Sequence, residues 1–211
     1  MAETKQSLLS WLLPASLPGT PQEYFARLPV IDTPRLTLRR LTMRDAQDIY
    51  AYSQDPEVAR HVLWDAHRSI WDTRAYLRFI LRQYRLGEPS SWGIVARDTG
   101  RVIGTIGYMW YSVDNSTVEL GYSLARERWN QGLMTEALNA VLAETFGVLR
   151  LHRVEAQHFS ENPSSGRVME KCGMIHEGSH RQRIYNKGDF RDVELWAILR
   201  RDWEKLHPPE K

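Results

Sequence analysis

Three groups of residues have types and spacings that can do chemistry. The first is W-N-Q-G-L-M-T-E-A, Trp129 to Ala137, which sits between a short apolar run and a helical pattern. The first turn of a helix carries free backbone N–H groups at the positive end of the helix dipole, and an anion is favoured there. Gly132 would let a phosphate approach the backbone with no Cβ in the way. Asn130, Gln131, Gly132, Leu133, Met134 and Thr135 would present amides, and Thr135 could add its hydroxyl. The same letters also read as the plain start of a core helix, with Gly132 serving a tight turn. No G-K-[ST] follows, and no G-x-G-x-x-G is present, so neither standard phosphate fingerprint applies.

The second group is E-N-P-S-S-G-R-V-M-E-K-C-G-M. Asn162 stands before Pro163, where Asn suits an N-cap and Pro the first helical residue. Ser165 shares a helix face with Val168, Met169 and Cys172. A hydroxyl on that stripe needs a partner, either a backbone carbonyl or a ligand. The third group is V-E-L-G-Y-S-L. Alternation puts Val118, Leu120, Tyr122 and Leu124 on one face and Glu119, Gly121 and Ser123 on the other. Glu119, beside small residues, is a carboxylate that could act as a base in a cleft, or a solvated strand residue. Gln157 and His158 are polar candidates of second rank.

These groups need elements to hold them. Leu36-Thr37-Leu38 alternates as a strand, and Thr42 caps the helical segment that follows, which Asp55-Pro56 interrupts. Residues 72–86 place Ala75-Tyr76, Phe79-Ile80 and Gln83-Tyr84 at helical spacing, and Gly87 ends the run. Strands at about 91–97, 101–110 and 117–124 are joined by Asp98-Thr99-Gly100 and Asp114-Asn115-Ser116, which makes an antiparallel meander. A long helix follows with Leu133-Met134, Ala137-Leu138, Val141-Leu142 and Thr145-Phe146 on one apolar face. Then come a strand at about 153–159, the helix after Asn162, and a hairpin turning at Asn186-Lys187-Gly188. The pattern is mixed α/β on one central sheet.

Composition sets the outer bounds. A chain of 211 residues suits one domain. A formal net charge of +2 with no basic block is too weak and too scattered to imply nucleic-acid binding, and no nucleic-acid partner is expected. The single cysteine, Cys172, rules out an internal disulfide framework; it reads as a packed core residue and fits a reducing compartment. No run approaches the roughly 20 apolar residues that span a bilayer, so no membrane partner is expected. The segment 5–19 has a Lys before a short apolar stretch, but Glu3 offsets the charge and prolines interrupt it. It reads as an arm, residues 1–30, ahead of a domain at 31–205 and a tail at 206–211, in a cytoplasmic protein. His61 and His67 flank Trp64 without the further ligands a metal would need, so no metal is expected. Trp64, Trp71, Trp110 and Tyr111 could line a cleft, but most are expected to pack.

Four stretches in this order resemble the GNAT N-acetyltransferase superfamily, in its RimJ/RimL-type branch. They are T-P-R-L-T-L-R-R-L-T-M-R-D-A-Q-D-I-Y-A-Y-S-Q-D-P-E-V, V-E-L-G-Y-S-L-A-R-E-R-W-N-Q-G-L-M-T-E-A-L, L-H-R-V-E-A-Q-H-F-S-E-N-P-S-S-G-R-V-M-E-K-C-G-M and N-K-G-D-F-R-D-V-E-L-W-A-I-L. The resemblance spans about Asp32 to Trp203. It implies an α/β (α+β) fold, a single GNAT-like domain with a central, mixed, mostly antiparallel sheet of about seven strands flanked by helices. It also implies a splay between the fourth and fifth strands. The activity implied is acetyl transfer from acetyl-CoA to a primary amine, and a homodimer is compatible with it.

On this resemblance Tyr122, Ser123 and Leu124 bond the pantetheine arm through their backbone. Asn130 to Thr135 take the pyrophosphate, and Asn162 contacts the arm. Met169 occupies the place where many members carry a catalytic Tyr, so the acid that protonates the leaving thiolate passes to Ser165. Met134 stands where the superfamily has a small residue, and Trp129 at the head of the loop suits the RimJ/RimL branch. The acceptor amine must be neutral. A protein N-terminal amine has a pKa of about 7.7–8.0 and lysine one of about 10.4, so the first needs little help from a base such as Glu119. The branch points to a protein N-terminus. A small amine (polyamine, aminoglycoside or amino-acid analogue) is the neighbouring alternative, and a non-catalytic acyl-CoA-binding module the more distant one.

Overall fold

The Leu-Thr alternation at the head of the domain forms a strand in which Leu36 and Leu38 are wholly buried. In the computed structural model, which describes residues 20–208, helix α1 (Pro21–Ala26) is closed by a capping box between Thr20 and Glu23 and sends Phe25 into the core. The apolar stretch 5–19 lies outside the described residues. Strands β1 (Ile31–Asp32) and β2 (Leu36–Arg40) follow, then a 3-10 turn capped by Thr42 and the short helices α2 (Ala46–Ser53) and α3 (Pro56–Ala59). Helix α4 (Ile70–Leu86) ends at Gly87, whose left-handed conformation the sequence anticipated.

The meander is β3 (Ser91–Ala96), β4 (Val102–Ser112) and β5 (Thr117–Leu124). Helix α5 (Leu133–Gly147) crosses over to β6 (Arg153–Phe159), which lies parallel to β5. After α6 (Pro163–Lys171), the hairpin β7 (Ile175–Asn186) and β8 (Asp189–Leu199) leads to α7 (Arg200–Leu206). The eight strands run in the order β1-β2-β3-β4-β5-β6-β8-β7. The two-residue β1 is the strand beyond the seven expected, and it shifts the splay to between the fifth and sixth strands.

Pairing between β5 and β6 stops at Leu120 and Ala156, after which β6 pairs only with β8. The two strands diverge beyond that point. Helix α5 buries its whole expected apolar face against the sheet, including Thr145, whose hydroxyl donates to Val141 O (2.7 Å) and meets Tyr108 Oη at 2.8 Å.

Helix α4 differs from the expectation. Its buried stripe is Thr73, Leu77, Ile80 and Tyr84, while Ala75 and Phe79 are exposed. The stripe follows i, i+4, i+7, i+11, which leaves Phe79 off it, at the rim of a cleft. Tyr84 anchors this helix. Its hydroxyl accepts from Leu41 N–H (3.1 Å) and donates to Ser91 O, joining α4 to both β2 and β3. Tyr84→Phe would leave a buried N–H and a carbonyl unpaired, at a cost of about 1–3 kcal/mol. A urea titration is expected to show that loss as a lower midpoint with unchanged slope.

Candidate active site

The opening between β5 and β6 leads into a cleft of about 690 Å³. Ala125 N–H donates to Ile103 O (2.7 Å), and with the register Thr105↔Ser123 this sets which peptide groups face which neighbour. Gly121 and Ser123 engage β4. Tyr122 and Leu124 turn theirs toward β6, which has already departed. Leu124 O accepts from Trp129 Nε1 (2.8 Å), leaving the Tyr122 peptide groups and Leu124 N–H open to the cleft. Ser123 contributes only a side chain to the opposite face, where its Oγ lies 3.2 Å from Thr105 Oγ1.

The phosphate-loop candidate stands at the end of this opening. Asn130 and Gly132 are both left-handed, at φ 59 and 74, and the second starts α5 without a side-chain cap. Among the described residues the backbone N–H groups of 130–135 find no acceptor, since the first α5 bond runs from Glu136 N–H to Gly132 O. Leu133 and Met134 are buried in the core, so the Met134 side chain leaves the loop backbone open. Arg35 fixes the loop from outside: Nη1 donates to Gln131 O (2.8 Å) and Nε to Glu136 Oε2 (2.7 Å). Burial would raise the Glu136 carboxyl, but donors from Thr33 and Arg35 outweigh it and hold the group below its ordinary value. Arg167 and Lys171 also line the cleft and bring positive charge, as does Arg128, whose guanidinium is paired with Asp98 at 2.8 Å. Amides, open strand edge and cations together fit a phosphorylated cosubstrate with a hydrogen-bonding arm.

Helix α6 closes the lower side. Asn162 occupies the N-cap position but makes no capping bond, so the capping role open to it from sequence is not the one it plays; its carboxamide lines the cleft. Ser165 has a partner that neither sequence alternative named. Its Oγ lies 2.9 Å from Tyr122 Oη, which also donates to Ser165 O at 3.1 Å. Burial pushes the Tyr122 phenol well above its ordinary value, partly offset by the Ser165 contact, so it stays protonated. Met169 is in the core, as is Cys172, whose thiol burial pushes up to about 12. His158 is a structural link: Nδ1–H donates to Phe159 O (2.8 Å), and Nε2 accepts from Trp196 Nε1 (3.1 Å).

Glu119 lies on the opposite face of β5. Trp110 Nε1 donates to its Oε2 (2.7 Å), and Gln157 Nε2 to its Oε1 (2.9 Å). Trp110 is thus a carboxylate donor rather than packing. Trp71 is also exposed, under the Arg74 guanidinium at 4.8 Å. Trp64 packs on the core at the cleft wall, and Tyr111 packs on Phe25. His67 is held between Ser53 Oγ (2.7 Å) and Thr73 Oγ1 (2.8 Å), while His61 lines the cleft with its pKa lowered by burial. Among the described residues no group of three or more His, Cys, Asp or Glu side chains is placed to hold a metal, and no helix is long and apolar enough to cross a membrane.

Sequence reasoning missed the Tyr122 side chain, the two donors to Glu119 and the Arg35 tether. Tyr122 was legible as sharing a strand face with Val118, Leu120 and Leu124, but nothing local aimed it at Ser165.

Comparison with known proteins agrees with this geometry. The family model described as acetyltransferase (GNAT) domain matches residues 35–175. The chain is 32% identical to the uncharacterised N-acetyltransferase YoaA of Bacillus subtilis, over 82% of this chain and 97% of that one. It is 28% identical to the [ribosomal protein uS5]-alanine N-acetyltransferase of Escherichia coli, over 82% and 92%. A solved GNAT-family acetyltransferase from Bacillus anthracis superposes with a TM-score of 0.74 at 26% identity, covering 82% of this chain and 99% of that one.

Gly132→Ala tests the loop. Only Arg35 Nη2 comes near the added Cβ, at 3.5 Å, so the substitution fits sterically but forces a left-handed alanine at about 1–2 kcal/mol. Calorimetry is expected to show coenzyme A binding weakened roughly tenfold, with the folded state retained.

Proposed function

From the premise that the chain belongs to the GNAT acetyltransferase family and is an acetyl-CoA-dependent N-acetyltransferase, we propose that its acceptor is a protein N-terminal α-amine. The observation that carries this reading is the division of groups across β5. Glu119 is on one face, the Tyr122–Ser165 pair on the other, and open strand amides lie between them. The E. coli relative named above acts on an alanine of a ribosomal protein, which supports the same acceptor class.

Acetyl-CoA supplies an activated thioester. The residues 130–135 amides bind its pyrophosphate, Asn162 contacts its arm, and the Tyr122 and Leu124 peptide groups hold the arm along the strand edge. A backbone N–H of that edge polarises the carbonyl and stabilises the charge that develops on its oxygen. Glu119 takes a proton from the attacking amine, directly or through a water, as the new N–C bond forms. Ser165 Oγ–H protonates the sulfur as the C–S bond breaks, and its hydrogen bond to the neutral Tyr122 hydroxyl gives a path for that proton to be replaced. An amine with a pKa of about 7.7–8.0 is at least half neutral at pH 8, so one carboxylate held by two neutral donors suffices. The absence of a membrane-crossing helix among the described residues is compatible with the cytoplasmic site proposed for the reaction.

Ser165→Ala is expected to lower kcat roughly 100-fold while leaving coenzyme A affinity nearly intact. Loss of binding with turnover retained would remove Ser165 from the acid role. Separately, kcat/KM for an N-terminal peptide should rise with pH through about 8 and level off above about pH 9, because the neutral amine attacks and its deprotonation is then nearly complete. A blocked peptide bearing only lysine should keep rising toward pH 10. Faster turnover of the lysine peptide at pH 7.5 would overturn the acceptor assignment.

A further inference from the structure

The cleft does not end at Glu119. It continues across the sheet beneath α4, away from the phosphate loop. The register sets Gly121, Gly107 and Ser91 in one row across β5, β4 and β3, with the Met109 side chain over Gly121 and with Ser90 O and Ser91 against Gly107, and the trough runs beside this row beneath α4. Phe79 and Met109 flank this trough, both more than half exposed. Two strand spacings make the row about 10 Å long, the length of roughly three residues of extended chain.

The far end of the trough is polar and uncharged. Ser90 is 3% exposed, and its hydroxyl is the one buried side-chain polar atom among the described residues with no hydrogen-bond partner. Gln83, on α4, is half-buried, and its carboxamide bonds to nothing among them. A buried hydroxyl left unpaired is destabilising, and such a group at the wall of a cleft marks a place where a ligand can supply the partner.

We propose that this trough is an acceptor subsite in which Gln83, Ser90 and Ser91 take the backbone amides of the acceptor's first two or three residues. The proposal rests on the N-terminal-amine reading above and narrows it to an extended peptide. Glu57 and Glu161 also line the cleft, close to His61, whereas the polar groups beside Gln83 are the uncharged Ser90 and Ser91. A peptide brings carbonyls and N–H groups, which Gln83 and the serine hydroxyls can pair.

The test is a length series with one first residue: a single-residue amide, then di-, tri- and tetrapeptide amides, assayed by thiol release from acetyl-CoA. The expected result is a kcat/KM that rises at least tenfold up to the tripeptide and then levels off. Gln83→Leu and Ser90→Ala are expected to reduce it progressively with length, about fivefold to tenfold on the tripeptide. Ser90→Ala should also raise the melting temperature or leave it unmoved, because it removes an unpaired hydroxyl. A flat length profile among peptides that are acetylated would overturn the subsite and leave the N-terminal-amine reading standing. Acetylation of polyamines or other small amines with no peptide accepted would overturn both.

Discussion

The rest of the structure depends on the place where β5 and β6 stop pairing. Backbone N–H and C=O groups inside a sheet are rarely left without partners. Past Leu120 and Ala156 the two parallel strands diverge, and the peptide groups of Tyr122 and Leu124 lose the neighbour that their alternation assigns them. One carbonyl is taken by Trp129, and the others are left to a ligand that can behave as a strand edge. Because α5 starts a few residues beyond β5, the same divergence aims a helix N-terminus into the opening. Because α6 follows β6, it also brings Asn162 and Ser165 to the other lip.

Strand alternation then divides the chemistry between the two faces. Even-numbered residues of β5 face α5 and α6, so Tyr122 meets Ser165. Odd-numbered residues face the α4 side, so Glu119 meets Gln157. The irregularity in β4 between Tyr108 and Trp110 extends this arrangement. In a regular strand, Met109 and Trp110 would point to opposite faces. The extra residue lets Met109 cover Gly121 while Trp110 still reaches Glu119 on the same side. Residues of α4 and of β3, β4 and β5 together line the cleft on this side of the sheet.

Much of this was legible before any coordinates. The meander, the crossover helix, the hairpin turn and the Gly87 stop come from local backbone preferences, and each forms where the residues indicate. The buried side of α5 was legible for the same reason, since its apolar face is broad and uninterrupted. Helix α4 was harder. It carries aromatic residues on two adjoining faces, and periodicity cannot tell a ring that packs in the core from one that lines a cleft. Asn162 was ambiguous in a similar way, because an N-cap and a cleft-lining carboxamide occupy the same position.

What the sequence by itself determined was the order of elements, the candidate phosphate loop, and the faces on which Glu119, Tyr122 and Ser165 lie. Those properties follow from period, caps and turn chemistry, which act over a few residues. Tertiary structure alone decided which faces meet. Arg35 reaches a glutamate 101 residues away to steady the loop, and Tyr122 finds a serine 43 residues on. It also turned Met134 inward and so left the loop open. Such contacts arise from the path of the crossover and the packing of helices on the sheet, and no local preference of the chain encodes a partner that distant.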